Sequence, residues 1–151
     1  MLTSCEKERM VCQFCNLANG QELANVIYQT DLICCFLDID PISEGHTLIV
    51  PKKHCLDTEE LDKDTRLEIM NAVALLSTAI KKLYKPDGIS VMQNGGYFND
   101  VNHYHMHVFP RYKHDGFSWV EPAQLKRTTL TQTVTNLRRI INRQKSADDV
   151  N

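Results

Sequence analysis

The stretch His103-Tyr104-His105-Met106-His107-Val108 alternates imidazole with an apolar side chain, and that period of two is the tightest constraint on the fold. In an extended strand, successive side chains point to opposite faces. His103, His105 and His107 are therefore expected on one face, with neighbours about 6–7 Å apart. Tyr104, Met106 and Val108 take the other face, which reads as core. A merely solvated face draws on Lys, Glu, Thr or Ser. Here three of the chain's six histidines fall within five residues, so chemistry is the better explanation.

The remaining patterns supply partners for that strand. "ANVIYQT" and "LICCFLD" are two short β-prone runs about a tight Thr30-Asp31 connection, which predicts a hairpin. "DIDPISEGH" is a loop by its Pro, Ser and Gly, and "HTLIVP" is the next strand. Residues 64–84 read as a helix, with Ile69, Val73, Leu76, Ile80 and Leu83 stepping by four and three along one apolar stripe. Asp62 or Asp64 can cap its start. Lys81, Lys82 and Lys85 suit its C-terminal dipole, and "PDG" stops it. "GISVMQN" is a strand and "GGYFNDVN" a loop. A second helix is expected over about 128–145, with Leu130, Val134, Leu137 and Ile141 on one face. Most connections are too short for parallel crossovers. The fold class is therefore α+β, with a mostly antiparallel sheet and the long helix packed on one face.

A chain of 151 residues has room for one domain with a proper core. We expect that domain over 1–112, its core from about 12, with 113–151 as a C-terminal extension of the same domain. The formal charge of -2 draws it to neither nucleic acid nor anionic membrane. Arg138, Arg139, Arg143 and Lys145 read as a solvated basic helix face. The longest apolar run, "AVALLSTAI", is too short to span a bilayer. "MLTSCEKERM" lacks the apolar core of an export signal, so a cytoplasmic location is expected. In a reducing compartment the six cysteines are not a disulfide framework. Cys12 and Cys15 form a C-x-x-C, which leans toward metal binding or redox work. Cys34 and Cys35 are expected to point to opposite faces of a strand as small core residues, while Cys5 and Cys55 carry no readable role.

Imidazoles in alternation can be metal ligands, general acids or bases, or a nucleophile. Two strand histidines at i and i+2 with a third ligand can hold a catalytic zinc. Alternatively, a central His105 can attack phosphorus through one ring nitrogen while the other donates to a carbonyl. His107 would then bond a phosphate oxygen or orient the ring. Asp100 is the one carboxylate near enough to serve as a base, and sequence does not set its aim.

"HYHMHVFPR" resembles the signature of the histidine triad family. "CQFCNLANGQ" and "FLDIDPISEGHTLIVPKKH" are similar, in the same order, to that family's N-terminal segment and its Asp-Ile-x-Pro loop with Gly-His, strand and Pro-Lys-x-His. The resemblance covers about residues 12–112. It implies a five-stranded antiparallel sheet and a homodimer whose sheets join into ten strands. It implies binding of a nucleotide, an adenine nucleotide above others. The chemistry implied is hydrolysis or transfer of a nucleotidyl group from a phosphoramidate or a dinucleoside polyphosphate. His105 would be the nucleophile, supported by His107 and His46. Asp38 would accept from ribose hydroxyls, and Phe14, Leu17, Ile39 and Leu48 would line a base pocket. Asn94, and Asn99 at shorter reach, would contact phosphate. Without the resemblance, Asp38 and Asn94 read equally well as turn residues and the four apolar residues as core. Branches with a structural zinc imply Cys12, Cys15, His54 and His103 as its ligands, a closed tetrahedral set. No magnesium is demanded.

Two departures bear on function. The family places Gly-Gln and then Ser or Thr just before the triad, where this chain has Phe98, Asn99 and Asp100. The stretch 113–127 and the second helix map onto nothing in the family; Trp119 there could stack on a base or simply pack. A nucleotide-binding sensor or scaffold with little turnover uses the same binding residues and is the alternative reading.

Overall fold

The computed structural model describes residues 12–120 and 129–148. The chain divides into two compact units, one ending at Asp115 and the other beginning at Gly116. The first opens with a short helix, α1 (Gln13–Ala18), then strands β1 (Val26–Gln29), β2 (Ile33–Leu37) and β3 (Thr47–Pro51). The long helix α2 (Lys63–Tyr84) follows, and then β4 (Gly88–Gln93) and β5 (Met106–Arg111). The five strands form one sheet in the order β1-β2-β3-β5-β4, with every neighbouring pair antiparallel. The second unit carries α3 (Leu130–Asp148), started by Thr129, whose hydroxyl accepts from Gln132 N at 3.3 Å.

Both faces of the sheet are covered, and this explains the apolar run of β2. Cys35 and Ile33 join Ile49 and Val108 beneath Ile69, Ala72, Leu76 and Ile80 of α2. Cys34, Phe36, Leu48 and Val50 face the other way, against Phe14, Leu17 and Ala18 of α1. The adjacent cysteines thus serve opposite cores, as strand alternation requires. Burial pushes the Cys35 thiol up to about 12, which suits an inert core residue. Helix α2 begins where Asp62 accepts from Thr65 N at 2.8 Å, and it ends at Lys85 in the left-handed region. Leu83, placed on the buried stripe by spacing, is exposed instead. It lies almost a full turn beyond Ile80, the last buried position of the helix.

The histidine-bearing strand is shorter than its sequence pattern suggests. Sheet pairing starts at Met106, so His103 and His105 precede the ladder. Asn102 takes a left-handed φ of 50°, and Tyr104 N donates to Cys55 O at 2.7 Å rather than to a strand. The alternation of faces survives this. Tyr104 and Val108 are buried on the α2 side, and the histidines face the other side. His107 enters the ladder opposite Leu48 of β3 and Met92 of β4. Phe36, Leu48 and His107 therefore form one row across three strands.

Candidate functional site

Two imidazole clusters meet at residues 103–107. In the first, His103 is fully buried and its Nε2 donates to Pro51 O at 2.9 Å. The proton on Nε2 leaves Nδ1 as a lone pair. That lone pair lies 3.3 Å from Cys12 Sγ and 3.4 Å from Cys15 Sγ. His54 Nδ1 lies 3.3 Å from Cys15 Sγ. All four ligand atoms fall within 4.8 Å of one another. A tetrahedral metal with Zn–S and Zn–N bonds of about 2.3 and 2.0 Å sets its sulfur and nitrogen ligands roughly 3.5 Å apart, so these donors fit such an ion. The C-x-x-C stands at the start of α1, and His54 in the loop after β3; the cluster thus joins three separate parts of the chain. Burial lowers the His103 pKa to about 4, and the neighbouring imidazoles add to the effect. The ring is therefore neutral, as a ligand must be.

The second cluster is built by the same logic with the nitrogens exchanged. His105 Nδ1 donates to His103 O at 2.9 Å, which leaves its Nε2 as the lone-pair nitrogen. His46 Nδ1 accepts from Ile42 N at 3.1 Å, so its proton sits on Nε2. Nε2 in turn donates to His107 Nδ1 at 2.9 Å. The His107 proton is then on its own Nε2, a free donor. Burial depresses both pKa values, that of His107 to about 4, with the nearby imidazoles adding to the effect. Asp38 Oδ2 stands 3.6 Å from His46 Nδ1. That is too long for a hydrogen bond, and the Ile42 amide already occupies the nitrogen. We therefore read His46 as neutral rather than as half of an ion pair. Asp38, His46 and His107 could also gather about a cation, although the proton shared by the two rings would first have to leave.

Beside these rings opens a cavity of about 120 Å³. Phe14, Leu17, Asp38, Ile39 and Leu48 all line it, joined by Phe36 and Leu23. Ile39 is 91% exposed and Leu23 is fully exposed, so both stand at the open lip. Leu23 and Phe36 carried no motif; Phe36 was legible only as a residue of a β-prone run, and the register sets it in the row of Leu48 and His107. The Phe14 ring links cavity to chemistry, edge-on to His105 at 5.4 Å between centroids. The Asp38 carboxylate keeps Oδ1 on Asp40 N at 2.9 Å, a turn contact, and its Oδ2 is directed toward the histidines.

The two asparagines lie elsewhere. Asn94 is exposed, its carbonyl accepting from Gln93 Nε2, and no hydrogen bond among the described residues ties it to the histidines. Asn99 is buried, and its Nδ2 donates to Leu56 O at 3.1 Å, which pins the loop before the triad. Asp100, whose aim sequence left open, places Oδ1 3.7 Å from His105 Nε2. Trp119 is exposed.

The chain is similar to known proteins in sequence and fold. The HIT domain model matches residues 19–114. The chain belongs to the HIT family. This HIT chain is similar to a HIT family protein from Bacillus anthracis, 31% identical, with a TM-score of 0.77 over 87% of this chain and 96% of the other. A Zn-bound histidine triad family protein from Mycobacterium smegmatis is 30% identical with a TM-score of 0.67, over 77% and 86% of the two chains. The adenosine 5′-monophosphoramidase of Schizosaccharomyces pombe is 31% identical over 78% of this HIT chain and 92% of its own length. Among the described residues, no helix is long and apolar enough to cross a membrane.

Proposed function

We propose that this HIT chain cleaves a nucleotidyl phosphoramidate or dinucleoside polyphosphate through a covalent nucleotidyl-histidine. The observation that carries the reading is the His105 ring, locked through Nδ1 to His103 O with Nε2 left free, against a wall of the cavity. His105 Nε2 attacks phosphorus, and water later releases the nucleotide, so one hard displacement becomes two easier ones. The relay from Ile42 N through His46 to His107 fixes a donor at His107 Nε2 for a phosphate oxygen. Asp38 Oδ2 can accept from ribose hydroxyls, and the apolar walls suit a flat base, adenine above others. Asn94, at the surface, and Asn99, holding its loop, have lesser claims as phosphate contacts.

In this reading zinc sits among Cys12, Cys15, His54 and His103. Bound there, it supplies a structural clamp with no position open for water. A second copy is expected at β4, an edge of the sheet. Val91, opposite Val108 on the α2 face, is exposed there, and two such edges in register would make ten strands. The similarity to the fission-yeast monophosphoramidase supports the P–N substrate class.

Brief mixing with labelled substrate, quenching and peptide mapping test the reading. Label is expected on His105 with turnover following. Tight nucleotide binding with neither label nor turnover would establish the sensor reading in its place.

A further inference from the structure

Asp100 is the polar group closest to the nucleophile that the mechanism leaves unused. Its backbone is held on both sides. Asn99 N donates to Gly96 O at 3.0 Å, Asn99 Nδ2 is tied to Leu56 O, and Tyr104 N is tied to Cys55 O. Its head is free. The side chain is 83% exposed, and it faces the lone-pair side of the His105 ring. At 3.7 Å from Nε2, the carboxylate stands within the space that the reacting group must enter, since attacking and attacked atoms approach to about 3–3.5 Å. It would meet an anionic phosphoryl group there, with no lysine or arginine paired to it among the described residues.

A charge so placed discriminates among leaving groups. When a phosphoramidate is cleaved, the His105 Nε2 lone pair forms the new bond to phosphorus. The P–N bond breaks, and its electron pair leaves with the nitrogen. That nitrogen first takes a proton from solvent water, so it departs as a neutral amine while the histidine gains the positive charge. In a dinucleoside polyphosphate the leaving atom is a phosphate oxygen, and the departing chain is anionic throughout. A carboxylate beside the reacting phosphorus stabilises the protonated nitrogen and repels the phosphate chain. The geometry points to Asp100 as the residue that selects the leaving group, favouring a nucleoside phosphoramidate with an amine leaving group over a dinucleoside polyphosphate. This rests on His105 being the nucleophile.

The test pairs two substrates that share one nucleotidyl group: adenosine 5′-phosphoramidate of a primary alkylamine, and diadenosine tetraphosphate. kcat/KM is measured on both for the wild-type chain, Asp100→Asn and His105→Ala. The near-isosteric amide keeps shape and removes charge at an exposed position, so melting should not move. Asp100→Asn is expected to lower the amine-to-polyphosphate ratio about tenfold, with a loss on the first substrate and a gain on the second. A ratio within about twofold of wild type, including an equal fall on both substrates, overturns the assignment while leaving His105 as nucleophile. Wild-type turnover no faster than that of His105→Ala overturns both.

Discussion

His103 and His105 are two residues apart, both buried, and do opposite things. In His103 the Pro51 carbonyl takes the Nε2 proton and turns the Nδ1 lone pair onto two thiols. In His105 the carbonyl of His103 takes the Nδ1 proton and leaves Nε2 free. The first cluster is closed by four soft donors, and the second borders a cavity and a solvated carboxylate. In the proposed reading, residue type does not separate ligand from nucleophile; the carbonyl that claims the other nitrogen does. The His103 carbonyl also couples the two sites. Anything that fixes the His103 ring stiffens the peptide whose oxygen orients His105.

The hardest way to break the comparison is to remove one ring at a time. His105→Ala should cost at least about 10³-fold in turnover, because the nucleophile has no substitute. It should keep its metal and most of its stability. Cys15→Ala should do the reverse in order of cause: metal content falls, and the melting temperature drops by about 10 °C. Turnover is then lost as the N-terminal segment loosens. Metal analysis and thermal melting on the two variants decide this, and a metal-free His105→Ala chain would merge the two clusters into one site.

Phe14 sharpens the comparison, since its ring stands 6.2 Å from that of His103 and 5.4 Å from that of His105. Phe14→Ala removes a cavity wall without touching a donor atom. The expected result is a KM raised about tenfold, with metal content unchanged and kcat down only a few-fold. A loss of metal as large as that of Cys15→Ala would show that Phe14 serves the closed cluster instead.

How much of this was legible beforehand follows from locality. Short β-prone runs between turn residues, the alternation of the histidine strand and 3.6-residue stripes located all five strands and both long helices, because each pattern is written in neighbouring residues. The same local rules narrowed the cap to Asp62 or Asp64, and the hydrogen bond from Thr65 N decides for Asp62. The split of Cys34 from Cys35 came from those rules. Leu83 did not, because helical angle says nothing about where the core ends beneath a helix. The start of β5 at Met106 was hidden as well. What ends the pairing is Asn102 in a left-handed conformation and a hydrogen bond from Tyr104 to distant Cys55. The proposed metal-ligand set was reached by resemblance, and the clustering of its donors depends on loops joined across the fold. The aim of Asp100 depends on Asn99 anchoring to Leu56, a pairing 43 residues apart that no spacing reveals. Gly45 is a further case. Its φ of +90° favours glycine, and a Cβ there would meet the Tyr84 ring at 2.5 Å, a contact between the β2–β3 loop and the end of α2.

Acid separates the clusters most gently. Burial holds the pKa of His107 at about 4, below its ordinary 6.5, and lowers that of His46 in the same direction. The unfolded chain therefore binds these protons first as pH falls. The resulting stability is full above about pH 6.5, declines between 6.5 and 4, and is gone below. Only as pH falls through about 4 does the folded His107 take its proton, and the His46–His107 hydrogen bond then breaks because both facing nitrogens carry protons. Asp62 enters lower, since its pKa is held below 3.8 by the Thr65 amide. Urea unfolding at pH 7 and pH 5 should show a lower stability at pH 5. His107→Gln, which keeps a polar side chain but cannot be charged, should flatten that slope while leaving metal content alone. An unchanged slope in His107→Gln would assign the acid sensitivity to the closed cluster, where His103 is also held neutral by burial.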